Sequence, residues 1–163
     1  MFKNYLWAKS RSKWVKHKVE GCIFCGIAKR DPKIFTKLLY MGKDFMVIMN
    51  IFPYNTGHLQ VIPKRHVETL EELNENEFRG LFEMTKKVIR LIDKALKPAG
   101  YNIGINMGGD IAGGSIRHLH VQIVPRYPRD AGFMETTAET KVMPETLDET
   151  FGKLKKHVKM LEK

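Results

Sequence analysis

Nine residues constrain this chain more than any others: His118-Leu119-His120-Val121-Gln122-Ile123-Val124-Pro125-Arg126. In an extended strand successive side chains point to opposite faces. His118, His120 and Gln122 then share one face, while Leu119, Val121 and Ile123 share the other. The apolar row asks for a core beneath it, and the polar row is left to face solvent or a ligand. A half-exposed strand with chance histidines is the plain alternative. Two alternating histidines followed by glutamine depart far from ordinary strand composition.

The neighbouring pattern says what that strand belongs to. Phe45 to Ile51 is an apolar run of strand formers, halted by Pro53, Asn55 and Gly57. His58 to Pro63 reads as its antiparallel partner after a short loop. Leu70, Leu73, Phe78, Leu81, Phe82, Val88, Leu91, Ile92 and Ala95 recur with helical period. The spacing predicts a helix from Glu71 to Lys97, stopped by Pro98 and Gly100. Tyr101 to Asn106 and Leu119 to Val124 read as two further strands, and 144–163 as a C-terminal helix. Strands grouped around one long helix predict an α+β fold with an antiparallel sheet. Nothing in the pattern divides the 163 residues, so a single domain is expected, with residues 1–20 as a basic N-terminal extension.

The formal charge of +10 admits more than one partner. Lysines and arginines are spread along the chain, with denser zones at Lys9–Lys18 and Lys153–Lys163. A solvated surface accounts for this better than a nucleic-acid footprint, and a polyanionic small substrate is also served by a positive field. No stretch approaches the ~20 apolar residues of a membrane span. The cytoplasm is the expected compartment, and no membrane partner is expected.

Two further segments carry chemistry. Gly104 to Ser115 is glycine-rich and leads directly into the histidine strand. Glycines let a backbone approach a ligand closely, and successive N–H groups can cradle an anion. Cys22-Ile23-Phe24-Cys25 offers two soft ligands at metal-site spacing. A redox pair and two ordinary buried cysteines stay open beside that reading. His66, in Pro63-Lys64-Arg65-His66, and His118 are the histidines that would complete a tetrahedral set.

These motifs together resemble the histidine-triad superfamily, in which histidines alternate with apolar residues. The resemblance extends from Cys22 to Arg126. It implies a fold in which an antiparallel sheet carries one long helix and a C-terminal helix, and it implies a homodimer. It also implies that Asn50 touches the ribose and that His58 supports the active site from behind. Asn106 and Ser115 fall where family members contact phosphate or leaving group. The third triad position is Gln122 instead of histidine. That is similar to the transferase branch of galactose-1-phosphate uridylyltransferases and diadenosine tetraphosphate phosphorylases, as is Gly113-Gly114-Ser115. By the same resemblance Cys22, Cys25, His66 and His118 hold a structural zinc.

The resemblance implies a nucleotidyltransferase. His120 attacks the α-phosphorus of a dinucleoside polyphosphate or related nucleotide, and Gln122 with the amides of Gly113 to Ser115 stabilises the phosphoryl oxygens. Two alternatives stay open here. One is a histidine-triad hydrolase of dinucleoside polyphosphates or nucleoside phosphoramidates. The other is a nucleotide-binding module without catalysis.

Overall fold

The computed structural model describes residues 21–109 and 116–162. Gly113, Gly114, Ser115 and the basic extension 1–20 lie outside the described residues. Among the described residues no helix is long and apolar enough to cross a membrane.

The architecture is α+β, as the pattern predicts. Helix α1 (Ile23–Ala28) precedes strands β1 (Lys37–Met41), β2 (Phe45–Met49) and β3 (Leu59–Pro63). Helix α2 (Glu75–Leu96), strands β4 (Gly100–Ile105) and β5 (Val121–Arg126), and helices α3 (Phe133–Thr137) and α4 (Leu147–Lys155) follow. The sheet has the order β1-β2-β3-β5-β4, and every pairing is antiparallel. β2 and β3 form the expected hairpin, with Phe45 opposite Pro63 and Met49 opposite Leu59. The loop between them closes at Gly57, whose φ of +81° suits glycine. A Cβ there would meet Leu96 Cδ1 at 2.4 Å, so the loop is also pinned against the end of α2.

Sequence pattern and structure differ at several element boundaries. α2 starts at Glu75, not Glu71, because Asn74 caps it. Its side chain accepts from Glu77 N, and Glu77 reaches back to the Asn74 N–H. The C-terminal segment is not one helix over 144–163. α4 ends at Lys155, and a 3₁₀ turn takes over at Val158–Leu161, buried through Leu161. β1, α1 and α3 are additions to the expected elements. β1 carries an irregularity between Leu38 and Tyr40 that breaks its alternation.

The centre of the sheet, β2 and β3, is buried on both faces. Leu81, Val88, Leu91 and Ile92 of α2 pack on Val47, Leu59, Val61, Leu119, Val121 and Ile123, with Leu154 and Leu161 closing the same core. On the opposite face Phe24 and Ile27 of α1 cover Met46, Ile48 and Ile62. That second layer corrects the expectation that His120, facing a ligand, carries little packing. His118 and His120 do alternate with Leu119 and Val121, yet they are only 2% and 4% exposed. β5 also begins later than the sequence suggests. Leu119 N donates to Val67 O at 2.7 Å, so residues 118–120 lean on the stretch after β3 before regular pairing starts.

Candidate functional site

The site forms where α1, the segment after β3 and the entry to β5 meet. Phe24 lies between the two cysteines in sequence. Its ring stands edge-on to both imidazoles, with centroids 5.6 Å from His118 and 5.2 Å from His120. No pattern in the sequence marks Phe24 as part of the site, since its contacts come entirely from how α1 docks.

Four of the predicted residues converge on one point. The donor atoms of Cys22, Cys25, His66 and His118 all lie within 4.8 Å of one another. Cys22 Sγ is 3.3 Å and Cys25 Sγ 3.7 Å from His118 Nδ1, and Cys25 Sγ is 3.3 Å from His66 Nδ1. His118 Nε2 donates to Pro63 O at 2.8 Å, which leaves the Nδ1 lone pair facing the sulfurs. Burial pushes His118 down to about 4, against the pull of the Pro63 carbonyl, so the ring is neutral. Burial, with the adjacent Cys22 thiol, pushes the Cys25 thiol up to about 11. Two thiols and two imidazole nitrogens gathered this closely are a donor set that can hold a metal ion.

His120 is prepared differently. Its Nδ1–H donates to His118 O at 2.8 Å, which fixes the tautomer and leaves the Nε2 lone pair available. Burial holds its pKa below the usual imidazole value. Two residues on, Gln122 Nε2 donates to Asn106 Oδ1 at 2.6 Å. A primary amide has two N–H donors, so one is spent on Asn106 and a second is left. Asn106 is thus placed to orient Gln122, beyond the phosphate contact expected of it.

Asn50 and His58 meet at the mouth of the β2–β3 loop. Asn50 Nδ2 and the Tyr54 backbone N–H approach His58 Nδ1 at 3.3 and 3.2 Å. Asn50 Oδ1 accepts from Phe52 N. His58 Nδ1 is therefore the acceptor and Nε2 carries the hydrogen. Among the described residues that buried Nε2 has no hydrogen-bond partner, although the Gln122 side chain is its neighbour. Tyr54 stacks on the ring with centroids 5.1 Å apart.

Burial drives His58 down to about 4 from 6.5. Below pH 6.5 the unfolded chain takes up a proton there and the folded chain does not. Stability is then lost as pH falls from 6.5 through 4, and the loss levels off below that. The shift corresponds to on the order of 3 kcal/mol. In urea unfolding at a series of pH values, His58→Gln should show an acid loss smaller by that amount. Parallel curves for variant and wild type would refute this burial effect.

Comparison with known proteins decides the family. The HIT domain matches residues 31–129. The chain belongs to the HIT-domain family. The matched span includes Asn50, His58, His66, His118, His120 and Gln122, whereas Cys22 and Cys25 precede it. Over 109 residues, 67% of this chain and 56% of the relative, the HIT protein is 41% identical to an AP-4-A phosphorylase of Mycobacterium tuberculosis. The chain therefore spans little more than half the length of that relative. It is 37% identical over 95 residues to an asymmetrical bis(5'-nucleosyl)-tetraphosphatase of Schizosaccharomyces pombe, covering 58% of this chain and 52% of that one. A Zn-bound histidine triad family protein from Mycobacterium smegmatis superposes with a TM-score of 0.70 at 27% identity, covering 87% of this chain and 96% of the other.

Proposed function

We propose that this HIT protein is a nucleotidyltransferase acting on dinucleoside polyphosphates, passing a nucleotidyl group through His120 to inorganic phosphate. The observation that carries the reading is the pair His120–Gln122. A tautomer-locked imidazole with a free Nε2 stands beside an amide that has one N–H to give. The similarity to a mycobacterial AP-4-A phosphorylase supports the choice of substrate and acceptor.

In the first half-reaction His120 Nε2 forms a bond to the α-phosphorus. The P–O bond to the rest of the polyphosphate breaks, and the leaving oxygen keeps its electron pair. Gln122 donates its second N–H to an equatorial phosphoryl oxygen, where charge builds in the transition state. The Nδ1–H bond to His118 O holds the ring in plane as positive charge develops on it. In the second half-reaction a phosphate oxygen attacks the same phosphorus and the N–P bond breaks. The electron pair returns to Nε2, and His120 is regenerated neutral. Asn50 is assigned to the ribose, and Gly113, Gly114 and Ser115 to the phosphates.

Cys22, Cys25, His66 and His118 fit zinc. Zn–S bonds of about 2.3 Å and Zn–N bonds of about 2.0 Å at tetrahedral angles separate donors by roughly 3.3–3.8 Å. Three of the six donor separations are 3.3, 3.3 and 3.7 Å, and all six lie within 4.8 Å. Bound there, the ion supplies cross-linking only, since four protein ligands leave no open position for chemistry. His118 is thereby tied to α1, and the His118 carbonyl that orients His120 is held with it. His66 Nε2, 3.6 Å from Glu68 Oε1, has a carboxylate to steady its ring. One zinc per chain is the expected result of elemental analysis on protein washed with a weak chelator. Cys25→Ser should lose it. At about 1,000 times Kd, metal contributes about 4 kcal/mol, equal to about 8–16 °C of Tm in a domain of this size. A metal-free wild type with unchanged Tm would remove zinc from the reading.

The second reading is hydrolysis, with water as acceptor, and the tetraphosphatase relative favours it. Incubation of a dinucleoside tetraphosphate with and without phosphate separates the two: phosphorolysis releases a nucleoside diphosphate, whereas hydrolysis at the α-phosphorus releases the monophosphate. We also assign the chain to a cytoplasmic homodimer. β4 is an edge strand with Ile103 47% exposed, and Phe78 and Phe82 are exposed on α2. The molar mass in solution tests the pairing.

A further inference from the structure

The HIT match ends at residue 129, and the segment that follows folds back against the end of the sheet. Asp130 fastens it to the core. Its carboxylate accepts from Asn55 Nδ2 at 2.9 Å and from Arg126 at 2.6 and 2.9 Å. Glu135 then closes the segment on itself, accepting from Gly132 N at 2.8 Å and Val142 N at 2.9 Å. Between this segment and the end of α2 lies a cavity of about 470 Å³, within the size range of small-molecule sites. Ala95 and Leu96 of α2 line it, as do Val142 and Pro144 of the added segment. It is not the histidine site. Leu96 packs on the core that α2 covers, whereas His120 meets Phe24 of α1, which covers the opposite face of the sheet.

The charges of this cavity are unequally answered. Asp130 meets Arg126, Glu135 meets two backbone N–H groups, and Glu145 meets Lys153 at 2.7 Å. Arg129 also lines the cavity, and among the described residues no hydrogen bond or ion pair engages its side chain. Its backbone is left-handed, with a φ of +59°. Glycine occupies that region freely and a residue with a Cβ does not. An arginine held there against local preference calls for a use of its side chain. A guanidinium without a counter-ion is a binding group for carboxylate or phosphate. The rest of the lining is complementary: Val142 is 53% exposed at the rim, and the side chains of Ala95, Leu96 and Pro144 carry no polar atom. A ligand that uses both parts is an anion with an apolar body.

We propose that this cavity is a second binding site, for a small amphipathic anion. Its carboxylate or phosphate monoester sits on Arg129, and its apolar body lies against Leu96 and Val142. This site stands independently of the nucleotide reading.

Fluorescence titration of the full chain with anilinonaphthalene sulfonate, an aromatic anion small enough for the cavity, tests it. Saturable enhancement is expected in wild type. An excess of adenosine, which has no acid group, should leave that enhancement in place. Arg129→Gly suits the left-handed backbone and removes the guanidinium. It should bind the probe about tenfold or more weakly, the scale of one hydrogen bond to a charged group. Arg129→Lys keeps the charge and should lose less. Val142→Glu sets a carboxylate at the exposed rim and should also weaken binding. Displacement by hexanoate or by phenyl phosphate then identifies the acid group as carboxylate or phosphate. Absence of saturable binding, unchanged affinity in Arg129→Gly, displacement by adenosine, or resistance to both competitors overturns the site. So does a Val142→Glu variant that binds the probe as wild type does while its molar mass in solution falls, which gives the groove to a second copy of the chain.

Discussion

His120→Asn is expected to slow nucleotidyl transfer by about 10⁴- to 10⁶-fold, the range found when a covalent nucleophile is removed. The choice of asparagine follows from the packing. His120 is 4% exposed and its ring meets Phe24 edge-on, so glycine would leave a void as well as remove the nucleophile. Asparagine keeps part of the volume and a group able to donate to His118 O, while it offers no nitrogen lone pair to phosphorus. Its circular dichroism and metal content should match wild type. Intact-mass spectrometry after mixing with a dinucleoside tetraphosphate should show an added nucleotidyl group in wild type and none in the variant. Turnover by His120→Asn at a wild-type rate, on a substrate that wild type uses, would end the covalent mechanism.

The candidate site was largely legible in the sequence, and the manner of its burial was not. The alternation in 118–124 identified which side chains share a face, because strand period is a local property. The Cys22–Cys25 pair announced soft ligands, but spacing alone could not bring His66 and His118 to them. That convergence depends on α1 crossing the sheet, a tertiary event without a local signal. For the same reason Phe24 read only as a residue between two cysteines. The packing above the histidine row was not legible, because alternation reports which face a residue takes, not what lies above it. Leu70 and Leu73 kept the helical period and drew the predicted start to Glu71, whereas the capping box of Asn74 and Glu77 sets it at Glu75. Both leucines do pack against the core, so the period reported burial correctly and helix incorrectly.

In the proposed mechanism Gln122 decides between acceptors, and two replacements test that role differently. Gln122→Ala removes the N–H that the transition state uses, and the loss of one such donor typically costs ~10²–10³ in rate. Both half-reactions build charge on the same oxygens, so the alanine variant should slow adduct formation and its breakdown alike. Gln122→His has a different effect. An imidazole restores a donor but also adds a base able to take a proton from water. The amide it replaces cannot, which leaves the pre-ionised phosphate as the competent nucleophile in wild type. The variant is thus expected to move product from the nucleoside diphosphate toward the monophosphate at equal phosphate concentration. The change should be largest near pH 6 to 7, around the ~6.5 reference value of imidazole. Asn106 adds a condition. Its Oδ1 now accepts from Gln122 Nε2, so an imidazole must keep a nitrogen–hydrogen pointed there to remain in place. Asn106→Ala should therefore weaken the histidine variant's hydrolysis as well as wild-type phosphorolysis. A product ratio that stays fixed when Gln122 becomes histidine would show that the third triad position does not select the acceptor. Monophosphate as the sole wild-type product under saturating phosphate would hand the site to the hydrolase reading.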